Sequence, residues 1–222
     1  MSTVYLLSIP GVLAPKTLEA ARSVHNSTAG APANVAAARA MGDLSHMVYV
    51  PMEHEGHHGD NFLILDQWNN LEGLNQFFAN KQVQEQAGQI FTKRDPVVWM
   101  PAEGFTSYHG PAPFGQNDRI IGVVRAPISS VEAARVAHNA IVAKSMNKAR
   151  MRGNMSHEAC LRLAPPGSPE ALEFFAVDVW HNGAGMAEQY EDPEFLEGFG
   201  QMFAGEPSAT VWVHPAGDWV EW

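Results

Sequence analysis

EAARSVHN at residues 19–26 returns as EAARVAHN at 132–139, with six of eight residues identical. Outward from that match, ARAMGDLSH at 38–46 pairs with ARMRGNMSH at 149–157, and FLILDQWNN at 62–70 pairs with FFAVDVWHN at 174–182. GQIF at 88–91 then meets GQMF at 200–203, and VVWMPAEGF at 97–105 meets TVWVHPAGDW at 210–219. The offset stays between 111 and 114 throughout. Self-similarity at a fixed period outranks any local reading of structure, so the chain is two copies of one unit.

Each copy opens with an apolar strand, Val4 to Ile9 or Ile120 to Val124, and continues into a helix. Ser129 with Glu132 forms a capping-box pattern at the second of these helices, and Pro15 suits the first turn of the other. Gly42 and Gly153 supply the stop that lets the chain leave the helix. Two strands joined by a loop follow, at about 44–50 and 62–68 in one copy and about 155–162 and 173–180 in the other. A second helix precedes a last strand around Trp99 or Trp212. That order is the split β-α-β pattern. The expected organisation is a ferredoxin-like repeat over 1–107, a linker over 108–118 (YHGPAPFGQND, rich in proline and glycine) and a second repeat over 119–222.

The element order, the copy length of about a hundred residues and the pairing of copies resemble the dimeric α+β barrel superfamily. That group includes antibiotic-biosynthesis monooxygenases, muconolactone isomerases and ethyl tert-butyl ether degradation proteins. The resemblance is architectural, spans nearly the whole chain and carries no catalytic motif. It implies an α+β fold in which two tandem β-α-β-β-α-β repeats form an intramolecular dimeric α+β barrel, a built-in dimer. Strands buried on both faces then account for the near-continuous apolar runs LLSI, FLIL and IIGVV.

Composition bounds the partners. The 222 residues are 45% hydrophobic and 17% charged, as in a compact globular chain. A formal charge of −10 argues against nucleic acid, whose phosphates need cationic side chains. No apolar run approaches the roughly 20 residues of a membrane helix, and the opening MSTVYLLSIPG reads as a strand rather than a signal peptide. The single cysteine, Cys160, excludes an internal disulfide, which points to a reducing cytoplasm, and it lies in an apolar strand pattern as a core residue. Further homo-oligomerisation stays open.

Four polar or aromatic features recur in register between otherwise divergent copies: His25 with His138, His46 with His157, Asp66 with Asp178, and Trp68 with Trp180. His46 and Asp66 stand on the two arms of one hairpin, about equally far from its loop centre, so they should face one another. Opposed side chains on one sheet face have Cβ atoms about 4.5–5.5 Å apart. His157 and Asp178 straddle the PPGSP turn in the same way. Strand alternation places His46 on the face of Leu44 and Val48, and Asp66 on that of Ile64 and Trp68. A carboxylate beside an imidazole fixes its tautomer and raises its basicity, the arrangement that general acid–base chemistry uses. His25 and His138 lie on the apolar stripe of the first helix of each copy.

The expected function is therefore an enzyme acting by His/Asp acid–base chemistry on a small apolar or aromatic metabolite, by isomerisation, elimination or cofactor-independent oxygenation. His25, His46, Asp66, His138, His157 and Asp178 are the catalytic candidates. Trp68, Trp180, Asn26 and Asn139 are the substrate-binding candidates. No cofactor or metal is assigned. Two other readings stay open: a non-catalytic protein that binds a hydrophobic metabolite, and a haem- or metal-binding barrel. HEGHH at 54–58 has metal-ligand residue types, but the second copy has PPGSPEAL there, as suits a solvated hairpin tip. A metal set of His25, His46 and Asp66 lacks a spacing motif. Structural roles compete at every position: a His–Asp pair can fix hairpin register, and a tryptophan can be core.

Overall fold

The computed structural model describes residues 3–52, 61–109 and 119–222. HEGHH and the linker beyond His109 lie outside them. The chain divides into two compact units, Met1–Met100 with His214–Trp222, and Pro101–Val213. These units differ from the repeats in one respect. The segment that follows the last strand of each repeat packs with the other repeat's sheet.

The first unit contains β1 (Tyr5–Leu13), α1 (Leu18–Ser27), α2 (Pro32–Ala40), β2 (Asp43–Pro51), β3 (Asn61–Trp68), α3 (Leu71–Ala79), α4 (Lys81–Ile90), β4 (Phe91–Arg94) and β5 (Val97–Pro101). Its sheet is antiparallel: β2 pairs with β3, β3 with β1, and β1 with both β4 and β5. The second unit contains β6 (Tyr108–His109), β7 (Ile120–Pro127), α5 (Val131–Met151), β8 (Asn154–Arg162), β9 (Glu173–Trp180), α6 (Gly183–Tyr190), α7 (Pro193–Gly200) and β10 (Ser208–Val213). Its strands run β8, β9, β7, β10 in the same antiparallel order, with β6 added beside β8. Both sheets thus have ferredoxin-like topology.

Helix and strand residues share one core in each unit. Ala21, Ala38, Leu74 and Ile90 pack with Leu7, Ile9, Phe62 and Ile64 in the first, and Ala134 and Met202 with Ala159 and Phe174 in the second. Phe62, Leu63, Ile64 and Leu65 are all buried. Four consecutive buried strand residues mean that both faces of β3 are covered, as its apolar run requires. Cys160 is buried in β8, where burial pushes its thiol pKa up. Among the described residues, no helix is long and apolar enough to cross a membrane.

Local details correct the sequence reading at three places. The first helix of the first repeat is two helices, because Pro32 holds Ala31 extended and so breaks the run; α5, without a proline, continues for 21 residues. The caps are Thr17 and Ser130, whose hydroxyls accept from the amides of Ala20 and Ala133, so Pro15 and Ser129 stand outside their helices. Register shifts between Asp43 and Ser45, which turns Leu44 outward to 45% exposure and brings Asp43 inside. Gly42 and Gly153 do end their helices, with φ of +108° and +104° that favour glycine.

Candidate active site

In both units the hairpin places histidine and aspartate directly opposite: His46 pairs with Asp66 and His157 with Asp178. His46 Nδ1 lies 2.7 Å from Asp66 Oδ1, and His157 Nδ1 lies 2.8 Å from Asp178 Oδ1. The helix histidine completes a chain. His25 follows Ala21 by one turn on the buried face of α1, and its Nε2 is 2.9 Å from His46 Nε2. His138 on α5 repeats this at 2.8 Å from His157 Nε2. The result is an Asp–His–His chain built twice, with the rings of each histidine pair stacked about 5 Å apart.

Asn26 and Asn139 settle where the protons lie. Asn26 Nδ2 donates to the carbonyl of Asp218, so its Oδ1 is the atom that faces Val220 N and His25 Nδ1. Asn139 does the same with the carbonyl of Gly104, the amide of Thr106 and His138 Nδ1. An amide oxygen can only accept, so Nδ1 of each helix histidine carries the proton. A neutral helix histidine then offers Nε2 as acceptor, and the sheet histidine must donate from its own Nε2. That sheet histidine already donates Nδ1–H to the aspartate. It is therefore an imidazolium, and each chain reads Asp⁻, HisH⁺, His.

The electrostatics agree. Burial, followed by the charge of the sheet histidine, lowers His25 and His138 to about 4. Burial also pulls on His46 and His157, but the charge and hydrogen bond of Asp66 or Asp178 outweigh it and hold both above 6.5. Every imidazole nitrogen of the two chains is engaged. A metal or haem would have to break a chain to take one, and among the described residues no group of three or more His, Cys, Asp or Glu is arranged for a metal.

The covering segments supply the remaining walls. Trp222 exchanges both backbone hydrogen bonds with His46, its ring stacks on that imidazole at 4.5 Å, and Trp219 packs on His25. In the second unit Tyr108 pairs with His157, and Phe105 packs on His138. Asn26 and Asn139 anchor these segments and line neither of the two cavities beside the chains. A cavity of about 70 Å³ in the first unit is lined by Asp43, His46, Asp66, Arg94 and Trp222, with Asn34, Gln86 and apolar residues around them. One of about 60 Å³ in the second is lined by Tyr108, His138, Asn154, His157, Asp178 and Trp180. Either has room for about four waters or a small organic group. Trp180 is thus a cavity wall, whereas Trp68 is fully buried against Phe77 and Phe78.

Sequence reasoning missed Asp43, Asn154, Tyr108, Tyr190 and Trp222. Asp43 and Asn154 share one column of the repeat, yet a bulge at that point defeats alternation. Each leaves a buried polar atom unpartnered, Asp43 Oδ1 and Asn154 Nδ2. Burial and then the charge of Asp66 raise Asp43 to about 8. Tyr190 donates to Asp178 Oδ2 at 2.9 Å and accepts from Trp180 Nε1 at 3.3 Å. Phe78 holds that column in the first repeat, which leaves Trp68 Nε1 without a partner. The space for the tyrosine hydroxyl comes from Gly122, where a Cβ would sit 2.4 Å from that oxygen. Opposite Asp66 the corresponding residue is Leu7.

No protein-family model and no curated sequence matches the chain. Solved structures do. An anthrone oxidase-like protein superposes with a TM-score of 0.67 at 15% identity, over 97% of this chain and 92% of its own. A provisionally assigned monooxygenase from Lactobacillus acidophilus gives 0.60 at 13% identity, over 95% and 93%. A ferredoxin-fold protein related to antibiotic biosynthesis monooxygenases, from Listeria monocytogenes, gives 0.54 at 9% identity, over 98% and 97%. The likeness is one of fold: this chain has an α+β architecture of ferredoxin-like antiparallel sheets with helices, as those structures do.

Proposed function

We propose that the protein is an oxygenase-type enzyme that deprotonates a small apolar or aromatic molecule and needs no cofactor to do so. The carrying observation is the Asp–His–His chain, reproduced in both units beside an apolar cavity. The sheet histidine, His46 or His157, is the proton carrier, its aspartate holds the tautomer, and the helix histidine shares the proton across the Nε2–Nε2 bond. In the resting arrangement that proton is already loaded. Turnover starts from the pair after it has released the proton: two Nε2 acceptors cannot bond one another, so the Nε2–Nε2 bond is lost and the sheet histidine's Nε2 is free to accept a proton from an acidic C–H or O–H of the substrate. The anion left behind is electron-rich enough to react with dioxygen, and the stored proton returns to the reduced oxygen. The names of structural neighbours, anthrone oxidase-like and monooxygenase-related, fit this class of reaction.

Oxygen uptake with a panel of carbon acids and phenols, anthrone included, tests the proposal. Joint replacement His46→Ala and His157→Ala should lower turnover by at least the 10²-fold that a positioned acid–base group typically supplies. Unchanged uptake in that variant would remove the chain from the mechanism. The rate should also rise with pH along a limb whose midpoint lies above 6.5, because the loaded proton must leave first. A limb centred below 6.5 would contradict the assignment.

A further inference from the structure

The cavities beside the two Asp–His–His chains differ in charge. Arg94, the last residue of β4, lines the first cavity together with Asp43, His46 and Asp66. Its guanidinium donates to the side-chain oxygen of Gln84, and among the described residues no carboxylate pairs with it. Its partial burial works against its own charge without an acid to compensate. The column that holds Arg94 in the first repeat holds Glu206 in the second, and Glu206 does not line the second cavity.

Among the residues lining the first cavity, Asp66 balances His46, which leaves Arg94 as the cation no lining carboxylate pairs with, and burial pushes the Asp43 carboxyl up to about 8. Around the second, His157 is balanced by Asp178, and the other lining residues are uncharged. Asp43 also leaves Oδ1 buried and without a hydrogen-bond partner. As a neutral carboxyl it can donate to a ligand oxygen.

We propose that the first cavity is an organic-anion site: it takes a small apolar acid whose carboxylate bonds Arg94 and whose body lies among Phe77, Phe78 and Phe91. The second cavity takes an uncharged ligand, so the duplicated halves have diverged in ligand charge. This rests on the reading of the cavities as ligand sites and is independent of turnover. Arginine suits the role because its guanidinium can meet a carboxylate through two parallel hydrogen bonds.

Calorimetric titration of the full chain with isobutyrate and benzoate, against isobutyramide and benzamide, tests it. At least one carboxylate should saturate a single site, at least tenfold more tightly than its amide. Arg94→Gln should weaken that binding tenfold or more. Arg94→Lys should weaken it less, and it decides the matter if the glutamine variant folds poorly. Amides that match the acids, an unchanged Arg94→Gln, or no saturation by either acid at millimolar concentration would overturn the proposal. Oxygen uptake is read separately. Carboxylate binding without turnover leaves this site standing and ends the oxygenase reading; turnover without carboxylate binding does the reverse.

Discussion

Asp43 occupies the column that Asn154 fills in the second repeat, and the difference should be visible in stability. Its folded pKa is raised from 3.8 to about 8, so between those values the folded state holds a proton that the unfolded state has lost. Stability therefore falls as pH rises through that window, by up to about 1.4 kcal/mol per pH unit. Asp43→Asn should remove the slope and make the protein more stable than wild type at pH 8. Urea unfolding at pH 5.5 and 8 measures it; a variant less stable at pH 8 would show that the charged form is accommodated. Tyr190→Phe should cost about 1–3 kcal/mol, since Trp180 Nε1 and Asp178 Oδ2 both lose their partner. Phe78→Tyr should bring no matching gain, because Leu7 stands where Gly122 makes room in the other unit.

The elements show what pattern can and cannot reveal. The facing of His46 with Asp66 was legible because hairpin arms of equal length fix register. The inward turn of Asp43 was not, because one bulge shifts every residue before it to the other face. The covering segments were illegible for another reason. Their contacts, such as Trp222 with His46 and Tyr108 with His157, join positions far apart in sequence and leave no periodic trace. The recurrence of PAEGF against PAGDW did mark them as part of the repeat. Trp219 is buried against His25 and Phe62, so Trp219→Ala should cost about 3–5 kcal/mol. Amide exchange should then quicken in β2 and β3 while β8 and β9 keep their protection; equal loss in both sheets would contradict the division into units.

At the scale of the molecule, duplication made the fold readable from sequence, since matched blocks across the whole span fixed element order twice. It also singled out the three residues of the chain, because His25, His46 and Asp66 each recur where neighbours have drifted. What it left unread is the protonation state, which depends on the orientation of Asn26 and Asn139: the repeat marks both residues but not which amide atom faces the histidine. That state carries the account. Nitrogen-15 resonance of histidine-labelled protein at pH 7 tests it most directly. His46 and His157 should be protonated on both ring nitrogens, and His25 and His138 on Nδ1 alone. Four neutral imidazoles, or helix histidines protonated on Nε2, would contradict it.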